Sequence, residues 1–251
     1  MSQNIYDNEM FFTEYMKLRN EKSYNDLLEQ PAINKLLPDV KGKTILDIGC
    51  GYGHNSFLFA QNGAKKVVGI DLSQKMLEVA ENEFSHPCVE YCRKDMSELS
   101  AFTQKFDMVY SSLAFHYAEN FQKLIEDVYA LLNEGGYLIY SQEHPIVTAT
   151  MDCKGHHNMD ENGNFISYTF SDYAKSGRRV GPWFVDGVIN YHRTMGEIIS
   201  TLAHTGFIIK DVVEPTPESW ALKEKPDLMK EFIKPTFLII KAKKSEFSCD
   251  C

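Results

Sequence analysis

The run Thr44–Ile48 followed by Gly49-Cys50-Gly51-Tyr52-Gly53 constrains this chain more than any other part of it. Its largely aliphatic and β-branched residues read as a buried strand, and the alternate glycines read as a tight turn that opens a helix. A strand, a glycine turn and a helix in that order start a βα unit, which commits the following chain to crossovers and a parallel sheet. Lys66–Ile70 supplies the second strand, Val89–Cys92 the third, Phe106–Ser111 the fourth and Tyr137–Gln142 the fifth. Helices are expected between them: His54 to Gln61, ended by Asn62-Gly63; an N-cap at Ser73 leading through Phe84; and Phe121 to Leu132, closed by Gly135-Gly136. With 251 residues the chain is long enough for one large α/β domain with a substantial core.

The chemistry of the loop narrows the ligand. A glycine turn after a strand is where a nucleoside-type cofactor lies against the backbone. The dinucleotide fingerprint requires a glycine at position 54, where His54 stands. Asp47, just before the glycines, would repel a pyrophosphate but attract a ligand bearing an ammonium and a sulfonium. S-adenosylmethionine (SAM) carries both cations and no phosphate. Asp71 ends the next strand about 20 residues past the glycines, where a carboxylate can accept both ribose hydroxyls.

On these residues the chain resembles the class I SAM-dependent methyltransferases. Their first motif is similar to Leu46-Asp47-Ile48-Gly49-Cys50-Gly51-Tyr52-Gly53. Their second acidic residue matches Asp71, with Leu72, Ser73 and Met76 behind it, and their adenine-side acid matches Asp95 in Arg93-Lys94-Asp95-Met96. Phe106-Asp107-Met108-Val109-Tyr110-Ser111-Ser112 matches their fourth strand, and Leu131-Leu132-Asn133-Glu134-Gly135-Gly136 the turn before their fifth. The resemblance implies a Rossmann-like seven-stranded, mostly parallel sheet with an antiparallel strand seven, helices on both faces and an insertion after strand five. Strands six (Phe207–Val213) and seven (Thr236–Ala242) would form the edge hairpin. It also implies SAM as cofactor and S-adenosylhomocysteine as product. The cofactor-contacting set it implies is Asp47, Gly49, Cys50, Gly51, Gly53, Asp71, Leu72, Met76, Asp95, Met96, Ser111 and Ser112, joined by Tyr15 and Arg19 from an N-terminal helix that covers the cofactor in similar enzymes. Read by itself, Arg19 fits equally a solvated face of an amphipathic helix.

The expected organisation is a single domain: a helical cap over 1–40, a SAM-binding core over 41–145, a lid-like insertion over 146–192, and a helix with a strand hairpin over 193–251. The insertion breaks the βα rhythm and is rich in Gly, Asn, Asp and aromatic residues, with a hairpin turn at Asn162-Gly163. Its place after the C-terminal end of a strand suits a lid or substrate wall; a surface elaboration is the plainer alternative. Catalytic candidates are His116 after strand four, His144 closing strand five and Tyr191 where the insertion rejoins the core. His116 could instead pack the cofactor wall, and Pro145 gives His144 a turn-forming alternative. Arg193 could bind an acceptor carboxylate or phosphate, and Thr194 could cap the next helix. Cys153 with His156 and His157 lacks a second ligand pair at zinc spacing, so no metal is expected.

A net charge of −9 argues against a broad nucleic-acid surface. Ser111-Ser112-Leu113-Ala114 also stands where base-amine methylases show an Asn/Asp-Pro-Pro-aromatic motif. The expected acceptor is therefore a small molecule, in a branch that is similar to quinone-precursor methylases. A non-catalytic SAM-binding sensor or scaffold is the alternative, and a nicotinamide dehydrogenase is disfavoured by Asp47 and His54. No apolar run is long enough to span a bilayer, so no membrane insertion and a cytoplasmic location are expected. Among the six cysteines, Cys249 and Cys251 read as a frayed terminus. The sequence carries no reading of oligomeric state.

Overall fold

The computed structural model describes residues 3–152 and 155–246; Cys153, Cys249 and Cys251 lie outside the described residues. In chain order the elements are α1 (Glu9–Asn20), α2 (Gln30–Asn34), β1 (Thr44–Ile48), α3 (His54–Gln61), β2 (Lys66–Asp71), α4 (Gln74–Glu83), β3 (Val89–Arg93), β4 (Phe106–Ser111), α5 (Phe121–Leu131), β5 (Leu132–Glu143), α6 (Pro145–Thr148), β6 (His156–Met159), β7 (Phe165–Thr169), β8 (Gly177–Trp183), β9 (Val185–His192), α7 (Met195–Thr205), β10 (Phe207–Val213), α8 (Ser219–Glu224) and β11 (Phe237–Lys244).

Seven of the strands form one sheet in the order β10-β11-β5-β4-β1-β2-β3. β1, β2, β3, β4 and β5 pair in parallel, and β11 runs antiparallel to both β5 and β10. This is the Rossmann-like sheet expected, with β11 as its one reversed strand. Helices cover both faces, so Ile45 to Ile48 of β1 are all buried rather than alternating with exposed residues. Alternate side chains still sort to opposite faces. Leu46 and Ile48 join a cluster with Leu124 and Val128 of α5 and Leu202 of α7, while Ile45 packs with Phe59 of α3 and Ile33 of α2. Asp47 shares the Ile45 face and meets Ser56 on α3. The strand order reverses between β1 and β4, and a ligand crevice forms at such a switch point beyond the carboxyl ends of the strands.

Three local expectations need correction. β5 begins at Leu132 rather than Tyr137, because the glycine turn is absorbed into the strand. Gly135 takes φ +73 there, and the pairing to β4 shifts between Phe106 and Met108. The N-terminal helical stretch is broken: α1 ends at Asn20, and a single π turn over Asn25–Glu29 leads into α2. The insertion holds two hairpins, not one. The expected turn at Asn162-Gly163 joins β6 to β7, and a second hairpin pairs β8 with β9. Phe184 sits at the second tip with φ +58, an uncommon backbone state for a bulky residue, so no Asn-Gly or Asp-Gly signal marks that turn. No helix among the described residues is long and apolar enough to cross a membrane.

Candidate active site

The glycine loop is folded by its own backbone. The Gly49 and Cys50 amides donate to the Ile70 carbonyl at 2.8 and 2.9 Å, and the Gly53 amide donates to the Cys50 carbonyl at 3.0 Å. These bonds draw the ends of β1 and β2 together and place Asp71 beside the turn. The Asp71 carboxylate accepts from the Gly51 amide at 2.9 Å and from the Ser73 amide at 2.8 Å, which orients it across the strand ends. Gly49 is required for packing as well as for φ +70, since a Cβ there would stand 2.5 Å from the Ala114 Cβ.

Asp47 is 1% exposed, and Ser56 Oγ donates to it at 2.6 Å. Burial pushes its carboxyl from 3.8 up to about 7, against the Ser56 hydrogen bond that lowers it. Burial also raises Asp71, although the backbone amides oppose the shift. Among the described residues no lysine or arginine forms an ion pair with either carboxylate. Both line one cavity of about 310 Å³. A buried acid and a half-buried one without counter-ions suit a ligand that brings positive charge.

The cavity collects residues from across the chain. Tyr15, Arg19, Asp47, Gly49, Cys50, Gly51, Asp71, Leu72, Met76, Asp95, Met96, Ser112, His116 and Tyr191 all line it. Three expected residues do not. Gly53 is the N-cap of α3. Ser111 is buried and spends its hydroxyl on the Ile48 carbonyl at 2.7 Å, tying β4 to β1. His144 turns away: its Nδ1 accepts from the Ile146 amide at 3.1 Å and its Nε2 meets Glu214 at 2.9 Å. The neighbouring Glu143 lines the cavity instead.

Several lining groups are already engaged. Arg19 donates from Nη2 to Tyr52 Oη at 3.0 Å and to Asp26 at 3.3 Å. Asp95 accepts from the Ser97 amide at 2.9 Å, capping the short 3-10 turn after β3. Ser112 donates to the buried Glu29 at 3.0 Å, and Ser141 donates to the same carboxylate at 2.5 Å. The Cys50 thiol is pushed well up by burial and by the two nearby acids, so it is not a thiolate nucleophile.

The covering side is aromatic. Trp183, beside the β8–β9 tip, meets Phe11 and Tyr15 of α1 at 5.2 and 6.1 Å between ring centres, and Tyr6 at 6.5 Å. Tyr6 Oη lies 3.3 Å from Tyr117 Oη. The Gln3 side chain donates to the Gly187 carbonyl at 2.8 Å and accepts from the Ile189 amide at 2.9 Å, binding the N-terminal segment to β9. The β6–β7 hairpin takes no part in this cover; Tyr168 and Phe165 pack instead beside Lys234 and Lys230. Of these groups, sequence reasoning passed over Tyr6; Tyr117 and Glu143 carry acceptor-side readings beside His116 and His144, and Trp183 belongs to the aromatic insertion read as a lid or substrate wall.

Comparison with known proteins decides the family. A family described as a methyltransferase domain matches residues 45–136. A solved S-adenosylmethionine dependent methyltransferase from Mesorhizobium loti is 35% identical, with a TM-score of 0.80 over 86% of this chain and 97% of that one. The chain belongs to the SAM-dependent methyltransferases. A solved Listeria monocytogenes chain matches as well, at TM-score 0.80 and 37% identity over 87% of this methyltransferase and 97% of that chain. An uncharacterized protein of Haemophilus influenzae is 37% identical over 96% of the methyltransferase and 97% of its own length. SAM is therefore the cofactor. When bound, it supplies an activated methyl group on a sulfonium that is a good leaving group.

The raised Asp47 gives a pH expectation. Above about pH 7 the carboxylate is ionised and attracts a cation; below, it takes up a proton and the attraction fades. SAM affinity should weaken about tenfold between about pH 8 and about pH 6. Without ligand the sign for stability is opposite: the raised carboxyl favours the folded chain at low pH, and that contribution is lost as pH climbs to about 7. Calorimetric titrations across this range check the binding trend, and Asp47→Asn should flatten it.

Proposed function

We propose that this methyltransferase transfers the methyl group of SAM to a small-molecule acceptor, and that residues 1–40 and, within 146–192, the β8–β9 hairpin serve as cap and lid over a core of 41–145, with 193–251 completing the sheet. The observation that carries this reading is the closure at Trp183. The N-terminal segment and the β8–β9 hairpin meet there over the cavity, and the space of about 310 Å³ is at the small end of ligand pockets. A macromolecular acceptor would need that cover to open; a small one can be enclosed and shielded from water.

In this reading Asp71 accepts the ribose hydroxyls and Asp47 faces the cationic end of the cofactor. Asp95 and Met96 meet the adenine, and Gly49 and Gly51 give the cofactor close approach to the backbone. Tyr15 and Arg19 belong to the cover. His116 contacts the acceptor. Burial lowers its pKa and keeps it neutral, and its Nδ1 accepts from the Glu143 amide at 3.4 Å, which puts the ring proton on Nε2. It is then a hydrogen-bond donor to the acceptor rather than a base. Tyr191 lies within hydrogen-bonding reach of Glu119 and its pKa is raised, chiefly by burial, so it too keeps its proton. Orientation and exclusion of water carry the rate.

The test is release of S-adenosylhomocysteine from SAM across small amines, phenols and carboxylic acids, run beside tRNA and denatured protein. Turnover confined to small acceptors supports the reading. Turnover only on a macromolecule overturns it. Tight SAM binding with no turnover on any class turns the chain into a SAM-binding sensor or scaffold.

A further inference from the structure

The cavity has a one-sided chemistry where Glu143 and Tyr117 lie within electrostatic range of each other. Its walls include Tyr6, Tyr15, Tyr117 and Trp183, and the Glu143 carboxylate stands at the carboxyl end of β5. Glu143 Oε2 accepts one bond, from Asn190 Nδ2 at 3.0 Å, which holds it in place without neutralising it. Glu119 adds a second carboxylate to the lining.

Positive charge is committed elsewhere. The cations lining the cavity among the described residues are Arg19 and Lys94. Arg19 is held by Tyr52 and Asp26, and Lys94 lies over the Phe102 ring at 5.2 Å. Arg193 sits off the cavity lining; it donates to the backbone carbonyls of Ala118, Glu119 and Tyr191 and lies over the Phe121 ring. Lys234 is within electrostatic range of Glu143, but it donates to Thr236 Oγ1 at 3.1 Å, lies over the Tyr168 ring and does not line the cavity. An anionic acceptor would be buried here without a counter-charge, which is costly. A cationic one meets a carboxylate and electron-rich rings.

We propose that the acceptor class of this site is a small aliphatic amine, whose ammonium form is held by Glu143 and the tyrosine–tryptophan wall. The inference rests on the small-molecule reading above and narrows it. For reaction the ammonium gives one proton to Glu143 or to water. The freed nitrogen lone pair then bonds to the methyl carbon as the C–S bonding pair passes to sulfur. The products are the methylated ammonium, S-adenosylhomocysteine and one proton, so charge and atoms balance. Glu143 thus discriminates for charge at binding and is placed to take the proton that the reaction must shed.

The experiment uses the full chain loaded with S-adenosylhomocysteine. Choline serves as an unreactive cationic probe, 3,3-dimethylbutan-1-ol as its neutral carbon isostere, and acetate as an anion. The chain has two tryptophans, so Trp220→Phe leaves Trp183 as the reporter at the site. Choline should bind at least about tenfold tighter than the isostere, with acetate weaker than both. Glu143→Gln should reduce the choline preference at least about fivefold while affinity for S-adenosylhomocysteine stays within about twofold. Equal binding of choline and isostere, a preference for acetate, or an unchanged preference in Glu143→Gln overturns the amine assignment and leaves the small-molecule reading standing. If S-adenosylhomocysteine binds but none of the three probes does, and turnover is seen only on a macromolecule, both readings fall together.

Discussion

Gly51→Val is expected to weaken SAM binding by at least about 100-fold while lowering the melting temperature by only about 2–8 °C. Gly51 takes φ +55, in the left-handed region. A side chain there costs about 1–2 kcal/mol of backbone strain, which at this chain length gives the modest thermal shift. No heavy atom lies within 4 Å of the point where a Cβ would stand. The protein itself has room for the new side chain, and Gly51 lines the cavity in which the proposed cofactor position would meet it. The Gly51 amide also orients Asp71, so any re-aiming of that peptide disturbs the carboxylate expected at the ribose. Gly53→Val is the contrast. A Cβ at Gly53 would stand 2.5 Å from Tyr91 Oη and 2.7 Å from the Ala80 Cβ, so that variant should lose stability first. Calorimetry beside thermal melts separates the two effects. Native SAM affinity in Gly51→Val would remove this loop from the cofactor site.

The contrast between these two glycines shows where the sequence was legible. A glycine turn after an aliphatic strand announces a βα unit by local chemistry alone, and the strands β1, β2, β3 and β4 begin and end within a residue of their sequence expectation. Nothing local separates the glycine that faces a cavity from the one that packs against Tyr91, because Tyr91 arrives from 38 residues away. The same holds for the cover. Tyr6 and Tyr117 are 111 residues apart, and Glu29 meets Ser141 across 112. Such pairs are created by the crossing of the N-terminal segment over the strand ends, and they leave no periodic trace. His144 illustrates the converse. It has the residue type and the strand-end position of an acid–base group, yet Pro145 turns the chain there and its ring becomes a cap held by Glu214. One residue earlier, Glu143 keeps the orientation that the strand gives it and reaches the cavity.

The second large effect is expected at Arg179, which sequence reasoning did not single out. Arg179 is 1% exposed and among the largest fully buried side chains of the protein. Its guanidinium donates to the Ala149 carbonyl from Nε at 3.0 Å and from Nη2 at 2.8 Å, and to the Lys175 carbonyl at 2.6 Å. These bonds fasten the start of β8 to the end of α6, next to the sheet, and so fix where the β8–β9 tip reaches Tyr6 and α1. Arg179→Ala would leave the buried Ala149 carbonyl without these donors, at a cost of about 1–3 kcal/mol. The sheet does not depend on those bonds, since β8 and β9 pair only with each other. The hairpin should therefore loosen while the strand core holds, with turnover reduced at least about tenfold and SAM affinity changed far less. Hydrogen exchange reads this directly. In the wild-type chain S-adenosylhomocysteine should raise protection over 8–20 and over 177–192 together. In Arg179→Ala the second segment should exchange quickly with or without ligand, while β1, β4 and β5 keep their protection. Wild-type turnover alongside a freely exchanging hairpin would mean that the hairpin encloses nothing the reaction needs, and that the acceptor enters on another side of the strand ends.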